Sequence, residues 1–259
     1  MANSINTNYG AAVALQSLNK TNAQLETTQN RINTGMKVSS AKDNGAIFAI
    51  ATSQRANMGA MDAVKNSLQR GQSIVDVALA AGDTATSALE EMKALAVNIA
   101  SSTGDAQTAY LADYNALGKE VASALSGASF DGVNLWATAG LTNVTTNTSG
   151  GTFGIGFATN ISTSATLAAV NTGAIAATAA TTTAVDAALK TVTDSLATLG
   201  TQSKSVGRQI TFVNKLQDAT EAGIGNLVDA DLAKESARLT ALQTKQQLGV
   251  QALSIANSS

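Results

Sequence analysis

The chain has 259 residues, of which 13% are charged and 3% aromatic, and it contains no proline, cysteine or histidine. The absence of cysteine and histidine excludes a disulfide framework, a Cys or His metal site, a cysteine nucleophile and an imidazole general base. Sixteen basic against eighteen acidic side chains give a net charge of −2, which offers no basic excess for nucleic-acid binding.

Composition also sets expectations about membranes and compartment. No uninterrupted apolar run reaches the ~18 residues that indicate a membrane-spanning helix, so no membrane insertion is expected. The first ten residues carry neither a basic segment nor an apolar one, and they do not resemble a cleavable secretory signal. Composition alone therefore predicts a cytoplasmic protein by default.

Charged side chains fall into two blocks, residues 20–131 and 186–245, with neutral segments at both ends and in the middle. This near mirror symmetry predicts a hairpin-like chain whose two ends come together. The predicted division has a terminal coiled coil, a helical core and a neutral surface segment. Their ranges are 1–40 plus 226–259, 41–131 plus 186–225, and 132–185.

The N-terminal segment predicts a coiled-coil helix, because apolar residues recur there at alternating spacings of three and four. Polar side chains at some positions of the same stripe fix register at a cost in stability. The predicted stripe consists of Leu15, Leu18, Asn22, Leu25, Gln29, Ile32 and Met36.

Three further helices are predicted inside the chain, because the same spacing persists too long for strands. One stripe runs from Val64 to Ile99, a shorter one lies within 105–127, and the last runs from Val185 to Val213. Long uninterrupted helices also explain the missing prolines, since an interior proline costs ~3 kcal/mol.

The neutral middle predicts a small β element over 138–165. Gly150-Gly151 marks a turn, and residues 152–157 alternate with the period of a strand. The Ala- and Thr-rich stretch 165–184 is ambiguous in secondary structure, and we expect it to be a surface excursion rather than a second core.

The C-terminal segment repeats the N-terminal spacing and predicts the second helix of the terminal coiled coil. Pairing the two ends of so long a chain costs loop entropy, and a stripe with many polar residues buries little apolar area. We therefore expect the pair to order when packed against copies of itself, where neutral surfaces are cheaper to bury than charged ones. The stripe consists of Val228, Leu232, Glu235, Leu239, Leu242, Gln246, Gly249 and Leu253.

No constellation of residues supports catalysis or a cofactor. Ser39 and Lys42 fit the S-x-x-K pattern of serine acyl-enzymes, but the accompanying S-D-N and K-T-G elements are absent. Asp229, Asp231 and Glu235 offer three carboxylates to a hard cation without a calcium loop, and acids in a first helical turn are expected from the macrodipole alone. The sequence thus predicts a self-assembling subunit that is not an enzyme.

The two ends resemble bacterial flagellin. Residues 18–49 read LNKTNAQLETTQNRINTGMKVSSAKDNGAIFA, which is similar to the family's first helix, its turn at Arg31 to Gly35, and its connector at Asp43. Residues 227–237 read LVDADLAKESA, which resembles the family's D-A-D-x-A-x-E element at Asp229, Asp231 and Glu235. One departure is the order Asp43-Asn44-Gly45, which places the glycine early and leaves the connector geometry open.

The resemblance implies a mainly α-helical filament subunit for swimming motility, exported unfolded through the flagellar type III apparatus without signal cleavage. This expectation overrides the cytoplasmic default. The implied partners are other flagellin copies, a cytoplasmic export chaperone, and the cap and hook-junction proteins. The alternatives are a hook–filament junction protein, which resembles flagellin mainly at its ends, and a soluble coiled-coil adaptor that does not polymerise.

The family arrangement would expose the neutral, Thr- and Ser-rich middle, so O-linked glycans are expected there. The candidate acceptors are Thr145, Thr146, Thr148 and Ser149.

Overall fold

The computed structural model describes residues 8–258, with side chains through residue 256. This part of the chain forms long helices and one two-stranded antiparallel sheet, which confirms the predicted mainly α fold with a small β-hairpin. None of its helices combines the length and the apolar character that crossing a membrane requires. The elements are α1 Tyr9–Thr34, α2 Gly45–Ser101, α3 Gly104–Gly127, β1 Thr142–Thr145, β2 Thr152–Ile155, α4 Ala165–Asn171, α5 Thr182–Val228 and α6 Leu232–Ser258.

Short polar side chains begin three of the helices. Asn8 precedes α1, Asn44 precedes α2, and Asp231 precedes α6. In each case the side-chain oxygen accepts a hydrogen bond from the backbone N–H three residues later, at 2.9, 3.1 and 3.1 Å. The early Gly45 is therefore the first residue of α2, and Asn44 caps that helix. Gly35 ends α1 at φ 67°, a left-handed conformation that favours glycine.

The chain divides into two compact units. Unit 1 contains the described residues up to Met58 and those from Asp218 onward, and unit 2 contains residues 59–217. The predicted division at 40/41 and 225/226 concerns layers of an assembled filament and stays a prediction.

The core of unit 2 follows the predicted helical stripe of α2, whose members are all buried. Trp136, the only tryptophan, is fully buried in the same core and donates from Nε1 to the Ala78 carbonyl oxygen at 2.8 Å. The β-hairpin joins this core through Val144 and Ile155. The α2 positions are Val64, Leu68, Gly71, Val75, Ala78, Gly82, Ala85, Leu89, Met92, Ala96 and Ile99.

The expectation that 165–184 is a surface excursion is wrong for three of its residues, while most of the segment is exposed or half-buried. Leu167 and Val170, on α4, are fully buried, and Ala180 is 2% exposed. The reason is a close approach between α4 and α3, where a Cβ at Gly118 would overlap the Val170 carbonyl oxygen. A residue without a side chain at that point lets a short neutral helix pack onto the core.

Candidate assembly interface

The helices α1 and α6 pack along each other and form what we call the terminal hairpin. Three side-chain contacts fix their direction, because the α6 partner moves back along the chain as the α1 residue advances. Asn8 Nδ2 donates to the Ala256 carbonyl oxygen at 2.6 Å, and Gln246 Nε2 donates to Asn22 Oδ1 at 2.8 Å. Arg31 Nη1 donates to Glu235 Oε1 at 3.2 Å. The two helices are therefore antiparallel.

The contact stripe between these helices contains most of the predicted positions. Val228 precedes the hairpin at the end of α5 and is buried within unit 1. Leu15 and Leu232 are 49% and 50% exposed, so the structure does not bring them into the contact within one chain. Their part in assembly stays a prediction. The other predicted members are buried or half-buried: Leu18, Leu25, Ile32, Leu239, Leu242 and Leu253.

The buried polar residues of the α1 stripe lie one position before the predicted ones. Thr21 and Thr28 are buried, at 3% and 1% exposure, whereas the expected Asn22 and Gln29 are exposed. Threonine suits the narrow space between two helices, and the Thr21 hydroxyl donates to the Ser17 carbonyl oxygen of its own helix at 3.0 Å. A buried threonine thus needs no partner from α6.

Arg31 and Glu235 form the one ion pair found between α1 and α6 among the described side chains. Their side chains are 27% and 11% exposed. The pair makes a single N–O contact, and Arg31 Nε and Glu235 Oε2 are both buried without a hydrogen-bond partner. The pair thus joins α1 to α6 and leaves one donor and one acceptor unsatisfied.

Main-chain hydrogen bonds join the segment after α1 to the segment before α6. The Gly35 carbonyl oxygen accepts from the Ala230 N–H at 2.9 Å. The Val228 carbonyl oxygen accepts from the N–H groups of Lys37 and Val38 at 2.6 and 3.3 Å. The family-motif residues Gly35 and Asp229 therefore lie at one junction, where Asp229 also bridges to Met36.

Asp43 and the serines of the S-x-x-K match form a closed local turn. Asp43 Oδ2 accepts from the N–H and the hydroxyl of both Ser39 and Ser40, at 3.0 to 3.1 Å. Hydrogen bonds from the backbone of Ser40 and then of Ser39 hold the pKa of Asp43 below its ordinary value. Both hydroxyls donate to the same carboxylate oxygen, an arrangement that ties this turn together.

Two of the carboxylates considered above as cation ligands make other contacts. Asp231 caps α6 and Glu235 pairs with Arg31. Among the described residues, no group of three or more acidic side chains is arranged to hold a metal ion.

The outer surface of the terminal hairpin carries large apolar side chains exposed to solvent. Tyr9 is 83% exposed and Ile255 is 67% exposed. An open groove of about 510 Å³ follows α1 beside Tyr9 and Val13. Exposed apolar patches on a surface with few charges mark interaction sites. The remaining members are Leu15, Leu232, Leu248 and Val250.

Two family models match the chain. The bacterial flagellin N-terminal helical region matches residues 5–140, and the bacterial flagellin C-terminal helical region matches residues 182–259. The chain is 52% identical to the flagellin FljM and 54% identical to the flagellin FljN of Caulobacter vibrioides. It is 38% identical to a flagellin of Brucella melitensis. Each comparison covers 99% of this chain and 96% of the relative.

Proposed function

The chain belongs to the bacterial flagellin family and is a structural subunit of the flagellar filament, so we propose a role for its terminal hairpin. We propose that the hairpin packs against other copies in the inner layer of the filament. The observation that carries the proposal is the set of exposed apolar side chains on α1 and α6, which includes Tyr9 and Ile255. Burying one large apolar side chain contributes about 1.5–3 kcal/mol, and every copy brings the same set.

The interior of the hairpin supports the same proposal. Its contact stripe includes Thr21, Thr28 and Glu235, so it buries little apolar surface within one chain. A helix pair of this kind gains most of its stability from neighbours. In the assembled filament, we place residues 41–131 with 186–225 in the next helical layer and 132–185 toward the outside.

We further propose that the subunit is exported unfolded by the type III apparatus and meets an export chaperone, the cap and the hook-junction proteins. The exposed apolar side chains of the hairpin support the proposal of a chaperone that covers them before assembly, because such surfaces associate non-specifically. The subunit acts as a structural protein, and we propose no catalytic role for it.

O-linked glycans on the middle segment are a separate proposal. Thr148 and Ser149 are exposed in the turn between β1 and β2, which favours them as acceptors over the half-buried Thr145 and Thr146. The intact mass of subunits taken from native filaments tests this proposal, and the unmodified mass would contradict it.

Polymerisation of the purified full-length chain tests the proposed packing. Concentrated protein seeded with filament fragments should give long filaments in electron micrographs. The same chain with Leu248→Ser and Ile255→Ser should need a higher concentration to polymerise, because two exposed apolar contacts are lost. Ala233→Ser, a small exposed position on α6, is the control and should polymerise normally. Unchanged growth of the doubly substituted chain would contradict the proposed packing.

A further inference from the structure

A basic groove lies beside the contact stripe of the terminal hairpin. It has a volume of about 330 Å³ and is open to solvent. Three cationic side chains line it, Lys20 and Arg31 from α1 and Arg238 from α6. Glu235 compensates only Arg31, and no carboxylate lies within 4 Å of Lys20 or Arg238 in the described part of the chain. The other lining residues are Ala23, Gln24, Thr27 and Thr28.

Arg31 contributes to the groove although it is already paired. Its Nη1 contacts Glu235 Oε1, while Arg31 Nε and Glu235 Oε2 are both buried without a hydrogen-bond partner. Three cations against one carboxylate leave the groove with an excess of positive charge, and a carboxylate is an anion that guanidinium geometry fits well. The charge of the groove thus favours a carboxylate as its ligand.

The terminal helices supply one suitable carboxylate. The acidic side chains within α1 and α6 are Glu26 and Glu235, and Glu235 is already paired with Arg31. Glu26 is exposed and has no ion-pair partner among the described residues.

Glu26 makes no ion pair with the groove of its own chain among the described residues. At about 100° per residue, Glu26 lies roughly 120° around the α1 axis from Lys20 by the shorter way. The stripe that contacts α6, represented by Thr21 and Thr28, lies on the other side of Lys20. Glu26 therefore lies on the face of α1 that is turned away from α6.

We propose that Glu26 of one copy binds in the basic groove of the next copy, against Lys20, Arg31 and Arg238. This contact rests on the proposed packing of terminal hairpins and gives it one specific pair of surfaces. Because the groove and Glu26 are different surfaces of the hairpin, each copy offers one free groove and one free carboxylate. Head-to-tail contacts of this kind extend without closing and generate helical polymers.

Charge-reversed subunits test the contact. Lys20→Glu places an acid opposite Glu26 of the neighbour, and Glu26→Lys places a base opposite the groove. Each variant alone should raise the critical concentration for polymerisation about tenfold, as expected for like charges in contact. An equimolar mixture of the two variants should polymerise near the wild-type concentration, because alternating copies restore opposite charges at every contact. Light scattering gives the concentration and electron microscopy the filaments.

Lys245→Glu is the matched control. It makes the same charge change on exposed α6 surface outside the groove, and its critical concentration should stay within about twofold of wild type for a peripheral charge. Should charge reversal reduce helicity by circular dichroism, Lys20→Gln and Glu26→Gln replace it. Their double variant should then be no worse than either single one, since both remove the same contact.

Three results would overturn the contact. The first is normal polymerisation of Lys20→Glu. The second is a mixture of the two variants that does not polymerise under conditions where wild type does. The third is a Gln double variant whose critical concentration rises by the combined effect of the two single substitutions. A wild-type chain that does not polymerise would instead overturn the proposed packing together with the contact.

Discussion

At the scale of single residues, the Tyr114 hydroxyl is a buried polar group without a hydrogen-bond partner among the described residues. The side chain is fully buried in unit 2. Burial raises the pKa of Tyr114 from 10.0 to about 12. An unpaired buried hydroxyl carries a desolvation cost, and its ionised form would cost more.

We predict that Tyr114→Phe stabilises unit 2 by about 1 kcal/mol at pH 7, because it removes that cost. The pH dependence has a definite sign. The folded-state pKa lies above the unfolded one, so the stability linked to the neutral phenol is present below pH 10 and is lost as pH rises from 10 through about 12. The variant should escape this loss.

Urea unfolding followed by Trp136 fluorescence measures both effects, since this tryptophan lies in the same core. Tyr9→Phe, at an exposed position of the hairpin, is the control. A loss of stability in Tyr114→Phe at pH 7 would mean that the hydroxyl has a partner after all.

At the scale of the elements, the long helices follow their sequence period closely, and glycines set the distances between neighbours. Gly118 on α3 is buried where α4 crosses, and an added Cβ would overlap a backbone oxygen there. Gly207 on α5 also lies inside a helix, yet an added Cβ would have no neighbour within 4 Å. Both glycines lie inside a helix, but only Gly118 has the backbone of another element packed against it.

We predict opposite effects of alanine at these two positions. Gly207→Ala should stabilise by about 0.5–1 kcal/mol through helix propensity. Gly118→Ala gains the same propensity, but it pushes α4 away, and overpacking typically costs about 1–3 kcal/mol. Urea unfolding followed by Trp136 fluorescence separates the two variants, and equal effects would mean that the α3–α4 approach is loose.

At the scale of the whole molecule, the two units differ in what holds them together. Unit 2 has a continuous apolar core around Trp136, whereas the contact stripe of the terminal hairpin, in unit 1, combines apolar residues with threonines, an ion pair and side-chain hydrogen bonds. Several apolar side chains of the hairpin are exposed. Under the proposed packing, the stability of unit 2 and the capacity to polymerise depend on different residues.

We predict that deleting residues 246–259 abolishes filament growth and leaves unit 2 folded. The deletion removes Gln246, which contacts Asn22, and Ala256, which contacts Asn8, while the buried environment of Trp136 is untouched. Electron microscopy should show no filaments, and Trp136 fluorescence should keep its folded spectrum. Loss of the folded spectrum would show that the chain folds as one cooperative unit.

The sequence by itself determined the helices of the core, the β-hairpin and the pairing of the chain ends. Helical and strand periods are local properties of side-chain spacing, and the stripes from Val64 to Ile99 and from Val185 to Val213 are long enough to be unambiguous. The neutral, paired ends likewise predicted a self-assembling subunit without reference to coordinates.

Only the tertiary structure decided which polar side chains of α1 are buried against α6. Stripes through Thr21 and through Asn22 share Leu18, Leu25 and Ile32, so spacing cannot distinguish them. Thr21 is buried, whereas Asn22 stays exposed and accepts a hydrogen bond from Gln246. The burial of Leu167, Val170 and Ala180 also escaped prediction, because a neutral Ala- and Thr-rich segment suits surface and core alike. Its position depends on the space at Gly118, a distant residue in the chain that local sequence does not reveal.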